Sequence, residues 1–190
     1  MNGTKVEILK EIQSSQEKIN HLFETFWENY SNLGTWQWWA MILLLISPLI
    51  ALYFFLDRKN ALSIGFYGLC VHVLFSYVNS YMEREFLWFH PYQLLKQVPI
   101  SIPVTASLVP VWFMMFYQYS IKKHKNFYII AIVLSISEAY IVAGILNVIG
   151  LLKFGHGFHI YYIIPIDYIV ALIAYFLTRL FQKACANASS

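Results

Sequence analysis

The sequence predicts an all-α membrane protein: five transmembrane helices preceded by an N-terminal amphipathic helix. Three observations lead there. The 190-residue chain is 59% hydrophobic and only 12% charged, where a soluble domain carries about 25% charged residues. Most of the charges fall outside a few long apolar runs. Each run is near ~20 residues, enough at about 1.5 Å per residue to cross roughly 30 Å of hydrocarbon.

The first segment, 4–30, has helical character. "TKVE" is a capping-box pattern, with Thr4 at the N-cap and Glu7 three residues on. Ile12, Ile19 and Phe26 share one heptad position, and Ile8, Ser15 and Leu22 share the other. Three lysines against five glutamates over this stretch disfavour adsorption to anionic lipid. The expected partner is another helix, from a second copy or another protein, or the chain's own membrane domain. Lacking an apolar core, the segment is not expected to be a cleavable signal peptide.

Asn32-Leu33-Gly34 breaks that helix, and "TWQWW" (35–39) opens the first span, to about Leu56. Its tryptophans form an interfacial anchor, because the ring is apolar while the indole N–H favours the headgroup region. Span two runs from about Leu62 to Met82 and carries Cys70, His72, Ser76, Asn79 and Ser80, a polar content that must face protein. The connection 83–99 is aromatic-rich and broken by Pro91 and Pro99. Span three is about 102–121, with Pro103 at its start and Pro110 inside, closed by "KKHK" (122–125). Span four is about 127–149. Span five is about 160–181, reached through "KFGHGFH".

Five spans put the 57–60 and 122–126 loops and the C-terminal tail on one side. They carry Arg58, Lys59, Lys122, Lys123, Lys125, Arg179 and Lys183, opposed by Asp57. The other side has Arg84, Lys96, Lys153 and the acidic first segment. The positive-inside rule then predicts a multi-pass cell-membrane protein with its N-terminus outside and its C-terminus cytoplasmic. The units are an extracytoplasmic helix (4–30), a five-helix bundle (35–181) and a cytoplasmic tail (182–190). The net charge of +3 is small and split between loops, so no nucleic-acid partner is expected. The two cysteines, Cys70 in a span and Cys185 in the tail, suggest neither a disulfide nor a zinc site, and no cofactor motif is present.

"TWQWW", "WFHPYQLLKQVPISIPVTASLVPVWFMMFYQY" and "HIYYIIPIDYI" resemble a family of small five-span membrane proteins from Bacillus and Clostridium relatives, over roughly residues 35–180. The resemblance implies the fold and a bacterial host. The family has no established activity, so it implies no catalytic residue. In that family the span-four glutamate is usually followed by proline, whereas here Ala139 follows Glu138.

Glu138 is the leading candidate for chemistry. It lies about 11 residues from either end of span four, near the midplane by helical rise, where a charge costs ~2.5–3.5 kcal/mol on insertion scales. One reading is a proton or cation site; the other is a protonated carboxyl making one structural hydrogen bond. Ala131, Ser135, Ala139 and Ala143 recur every fourth residue beside it, the small-xxx-small pattern of closely packed helices. Asp167 sits about seven residues into span five, roughly 10 Å deep, after Pro165, which is expected to kink the helix. Asn79 is expected near the level of Asp167, and His72 nearer Glu138. With Ser135, these residues form the candidate polar intramembrane site. Neither acid has a lysine or arginine at its depth, which suggests protonation, a metal ion or water. His90, His156 and His159, on the outer side, are weaker candidates for a surface metal.

Three function classes fit, ranked in this order. The first is a non-enzymatic assembly, sensor or accessory module. The second is a small oligomeric proton- or cation-linked transporter or channel subunit using Glu138 and Asp167. The third is a membrane enzyme acting on a lipid or isoprenoid. No phosphate loop, zinc-protease or nucleophile-elbow motif supports catalysis.

Overall fold

The computed structural model describes residues 2–96, 101–155 and 157–188. Pro99 and His156 lie outside the described residues. Seven α-helices follow in order: α1 (Asn2–Tyr30), α2 (Trp36–Phe55), α3 (Ala61–Arg84), α4 (Val109–Lys122), α5 (Phe127–Ser137), α6 (Gly144–Val148) and α7 (Ile163–Ala188). A π-helical segment, Pro103–Leu108, leads into α4, and another, Glu138–Ala143, joins α5 to α6. A 3-10 turn, Ile160–Tyr162, precedes α7.

Among the described residues four helices are long and apolar enough to cross a membrane: Trp36–Phe55, Ala61–Arg84, Phe127–Val148 and Ile160–Asn187. The architecture is therefore all-α and compatible with a multi-pass membrane protein. The expected third span is helical from Pro103 to Lys122 but is not among these four. Its position explains the lower apolarity. It packs against α2, α3 and α5, and a helix enclosed by protein can carry polar side chains provided they are satisfied. Gln118 donates to the carbonyl of Phe55 at 3.0 Å and accepts from the N–H of Asp57 at 2.7 Å. Ser107 donates to the carbonyl of Leu45 at 2.6 Å.

The bundle core follows the helical period. On α3, Ile64, Tyr67, Val71 and Phe75 are buried along one face; on α4, Val109, Phe113 and Tyr117 are. Tyr67 stacks on Tyr117 with centroids 4.3 Å apart. α7 packs against both α3 and α5, while α2 lies at the periphery against the Pro103–Leu108 segment.

At one end of the bundle two loops pair. Strand β1 (Trp88–Phe89) is antiparallel to β2 (Lys153–Phe154), with Trp88 opposite Phe154 and Phe89 opposite Lys153. Gly155 extends the contact by donating its N–H to the carbonyl of Leu87 at 2.8 Å. The end of α1 docks on the same connection. Trp27 and Ser31 both donate to the carbonyl of Gln93, at 3.1 and 2.9 Å, and Lys96 pairs with Glu28 at 3.1 Å. Trp38, from the tryptophan cluster, donates to the carbonyl of Leu94 at 3.2 Å. Further toward its start, α1 leaves Ile8, Ile12, Ile19 and Leu22 exposed.

Candidate functional site

Small side chains set the spacing at the site. Ala131, Ser135, Ala139 and Ala143 are all buried, and the facing helix α7 supplies Ala171, Ala174 and Thr178. With no bulky side chain between them, α5 and α7 come close. The two hydroxyls are satisfied within their own helices: Ser135 donates to the carbonyl of Ala131 and Thr178 to that of Ala174, each at 2.8 Å. Ser135 therefore packs the interface with its hydroxyl proton committed to its own helix. At one end of this contact Phe127 stacks on Tyr175, centroids 4.3 Å apart. At the other, Glu138 meets Asp167.

The two acids, expected at different depths of neighbouring spans, form one pair. Glu138 is 3% exposed and Asp167 fully buried. Their carboxyl groups lie close enough to each other to interact. Apart from that contact, Glu138 Oε2 and both Asp167 oxygens have no hydrogen-bond partner among the described residues. Two ionised carboxylates offer each other no donor and repel strongly where the dielectric is low. One shared proton turns the same contact into a hydrogen bond. Chemically, then, the pair is a place to hold a proton, or a cation in its stead.

The Glu138 end of the pair opens on a cavity of about 20 Å³, lined among others by Asn79, Trp88, His90 and Val104. Asn79 thus lies beside Glu138. Its Oδ1 accepts from the indole N–H of Trp88 at 2.9 Å, and its Nδ2 is buried without a partner. His90 belongs to this site, brought in by the strand pairing of its neighbours Trp88 and Phe89; its Nδ1 is hydrogen-bonded to the Glu83 carboxyl at 2.7 Å. His72 turns elsewhere and donates through Nδ1 to the carbonyl of Thr105 at 2.8 Å, tying α3 to the segment before α4. The hydroxyl of Tyr67 is buried, without a hydrogen-bond partner among the described residues, and close enough to Asp167 to interact with it electrostatically. Pro165 lies in the first turn of α7, just after the 3-10 turn, where a missing N–H is well tolerated.

Of the metal candidates, His90 is engaged with Glu83, and His159 is exposed and stacks on Tyr161 at 5.3 Å. Among the described residues no group of three His, Cys, Asp or Glu side chains is placed to hold a metal. At the far end of the bundle, a cavity of about 590 Å³ is lined by Asn60, Tyr117, Lys125, Tyr175, Arg179 and Gln182, among others. Comparison of the chain with protein-family models, with curated proteins and with solved structures finds no match.

Proposed function

We propose that this chain is a small proton- or cation-linked transporter or channel subunit of the membrane, working through the Glu138–Asp167 pair. The observation that carries the proposal is the contact between two buried acids from different helices with no lysine or arginine between them. A neutral structural hydrogen bond needs only one acid and any acceptor, whereas two acids in contact make the interface itself depend on a bound proton or cation. The cavity of about 20 Å³ beside Glu138 has room for a water and none for a lipid chain, so the enzyme reading gains nothing from the pair.

The topology we propose has five spans, with residues 103–122 as the third, the N-terminus outside and the C-terminus cytoplasmic. The pairing of β1 with β2 supports it. The connections after α3 and after α6 meet at one face, so the intervening chain must leave that face and return. The basic residues of the other face favour the cytoplasm. Membership of the five-span Bacillus and Clostridium family is part of the same proposal.

Proton and monovalent-cation flux into proteoliposomes tests the function. Glu138→Gln and Asp167→Asn are each expected to lower flux by about tenfold or more, as the loss of a proton-transfer group does, while the variants still fold. Equal flux in wild type and both variants would sink the proposal.

A second reading, an assembly module, is favoured by one observation. α1 carries Ile8, Ile12, Ile19 and Leu22 exposed on a helix whose docking contacts among the described residues lie near its end. If that stripe pairs two copies, Ile12→Asn with Ile19→Asn will convert a dimer of the full chain to monomer in sedimentation of the detergent-solubilised protein. An unchanged sedimentation coefficient would exclude pairing through α1.

A further inference from the structure

We infer that the small cavity beside Glu138 holds one ordered water, and that Glu83, His90 and this water form the route by which the acid pair exchanges its proton with the face bearing α1. The inference rests on the proton-holding reading of the pair and adds the path and its direction.

The cavity meets both requirements for a buried water. Its volume of about 20 Å³ exceeds the roughly 10–15 Å³ that one water needs. It also supplies about three polar partners, the usual number. Asn79 and Glu138 both line it, and Asn79 Nδ2 and Glu138 Oε2 are buried with no hydrogen-bond partner among the described residues. The third is His90: with Nδ1 bound to Glu83, its Nε2 is the nitrogen left for the cavity. A water placed there accepts from Asn79 and bridges His90 to Glu138. A drier filling would leave an amide and a carboxyl oxygen unsatisfied, at about 1–3 kcal/mol each.

The rest of the path leads outward. The Glu83 side chain is 17% exposed and that of His90 5%, so the proton passes from solvent to a carboxylate and then to an imidazole. Protonated Glu83 gives its proton to Nδ1 as Nε2–H gives its own to the water. The water passes a proton to ionised Glu138. Glu83 ends ionised, the imidazole ends as the other tautomer and the water is regenerated; the reverse sequence resets the chain. The charged or titratable neighbours of Glu138 are Asp167 from α7 and His90 from the connection. In the other direction Asp167 meets Tyr67, whose ring stacks on Tyr117 at 4.3 Å, so aromatic packing separates the pair from the large cavity at the far face.

Rapid-mixing infrared spectroscopy of the full chain in proteoliposomes tests the route, following the carboxylic C=O band of the pair after transfer to deuterated water. The band is identified by its change in Glu138→Gln and Asp167→Asn. Glu83→Gln and His90→Phe are expected to slow its exchange by about tenfold or more while leaving its intensity unchanged. Unaltered exchange in Glu83→Gln overturns the route and leaves the acid pair standing; that substitution is at a partly exposed side chain, so the result decides even if His90→Phe does not fold. A spectrum with no protonated-carboxyl band sensitive to either acid variant overturns the pair reading, and the route with it.

Discussion

Replacing Glu138 or Asp167 alone with leucine is expected to cost about 1–3 kcal/mol, and replacing both together less than the sum of the two losses. Each single change leaves a buried carboxyl facing hydrocarbon. The remaining acid loses the carboxyl with which it shares a proton, and Glu138 Oε2 and both Asp167 oxygens have no hydrogen-bond partner among the described residues. The double change removes both polar groups from a contact flanked along its own helices by Ala139, Val142, Val170 and Ala171, all apolar and buried. A coupling energy of about 1–3 kcal/mol in a double-mutant cycle, read from reversible unfolding in mixed micelles, would measure the shared-proton bond. Strictly additive losses would mean that the two carboxyls do not sense each other, and the proposed function would lose its foundation. The flux experiment and this one are independent: a structural acid pair with no transport shows coupling and no flux.

How much of this was legible beforehand depended on whether a local period carried it. The helices were, because each apolar run is long enough to be unambiguous, and residues 103–122 stand apart because enclosure by protein relaxes the demand for an apolar surface. The stripe Ala131, Ser135, Ala139 and Ala143 was legible for the same reason: a four-residue spacing on a helix implies one face, and that face is buried. The acids could be placed by depth, but their contact depends on the register between α5 and α7, which Phe127 on Tyr175 helps set and no single-helix pattern encodes. His90 and Tyr67 were missed as members of the site. A two-residue strand pair leaves no periodic trace, so nothing local showed that His90 would be drawn toward Glu138. Tyr67 is one of 14 tyrosines, and nothing in its local sequence separates it from those that only pack. His72 misled because depth alone suggested Glu138, whereas the segment before α4 offers its Nδ1 a nearer carbonyl.

Gly155→Ala is expected to be among the most damaging single changes in the chain, with a loss of about 3 kcal/mol or more, beyond ordinary overpacking at about 1–3 kcal/mol. "KFGHGFH" looks like a flexible loop, yet a Cβ on Gly155 would stand 1.6 Å from the carbonyl oxygen of Phe86. That obstacle is backbone, so no rotamer change relieves it, and Phe86 already sits at a positive φ of 52° that few side chains adopt. The strands must separate. Separation would release Trp88 from Asn79 and move His90, which follows directly on β1, away from Glu83 and the cavity beside Glu138. A change remote from both acids thus reaches their surroundings through one backbone contact. Gly157→Ala is the control: Gly157 has φ 69° but open space around its Cβ position, so its cost should be limited to local backbone strain of about 1 kcal/mol. Thermal unfolding of the two variants in one detergent separates the explanations. A much lower midpoint for the residue 155 variant shows that the pairing of β1 with β2 holds this end of the bundle together. Equal midpoints would show that the backbone at Gly155 and Phe86 gives way without loss, and that the strand pair contributes little to holding His90 at the acid site.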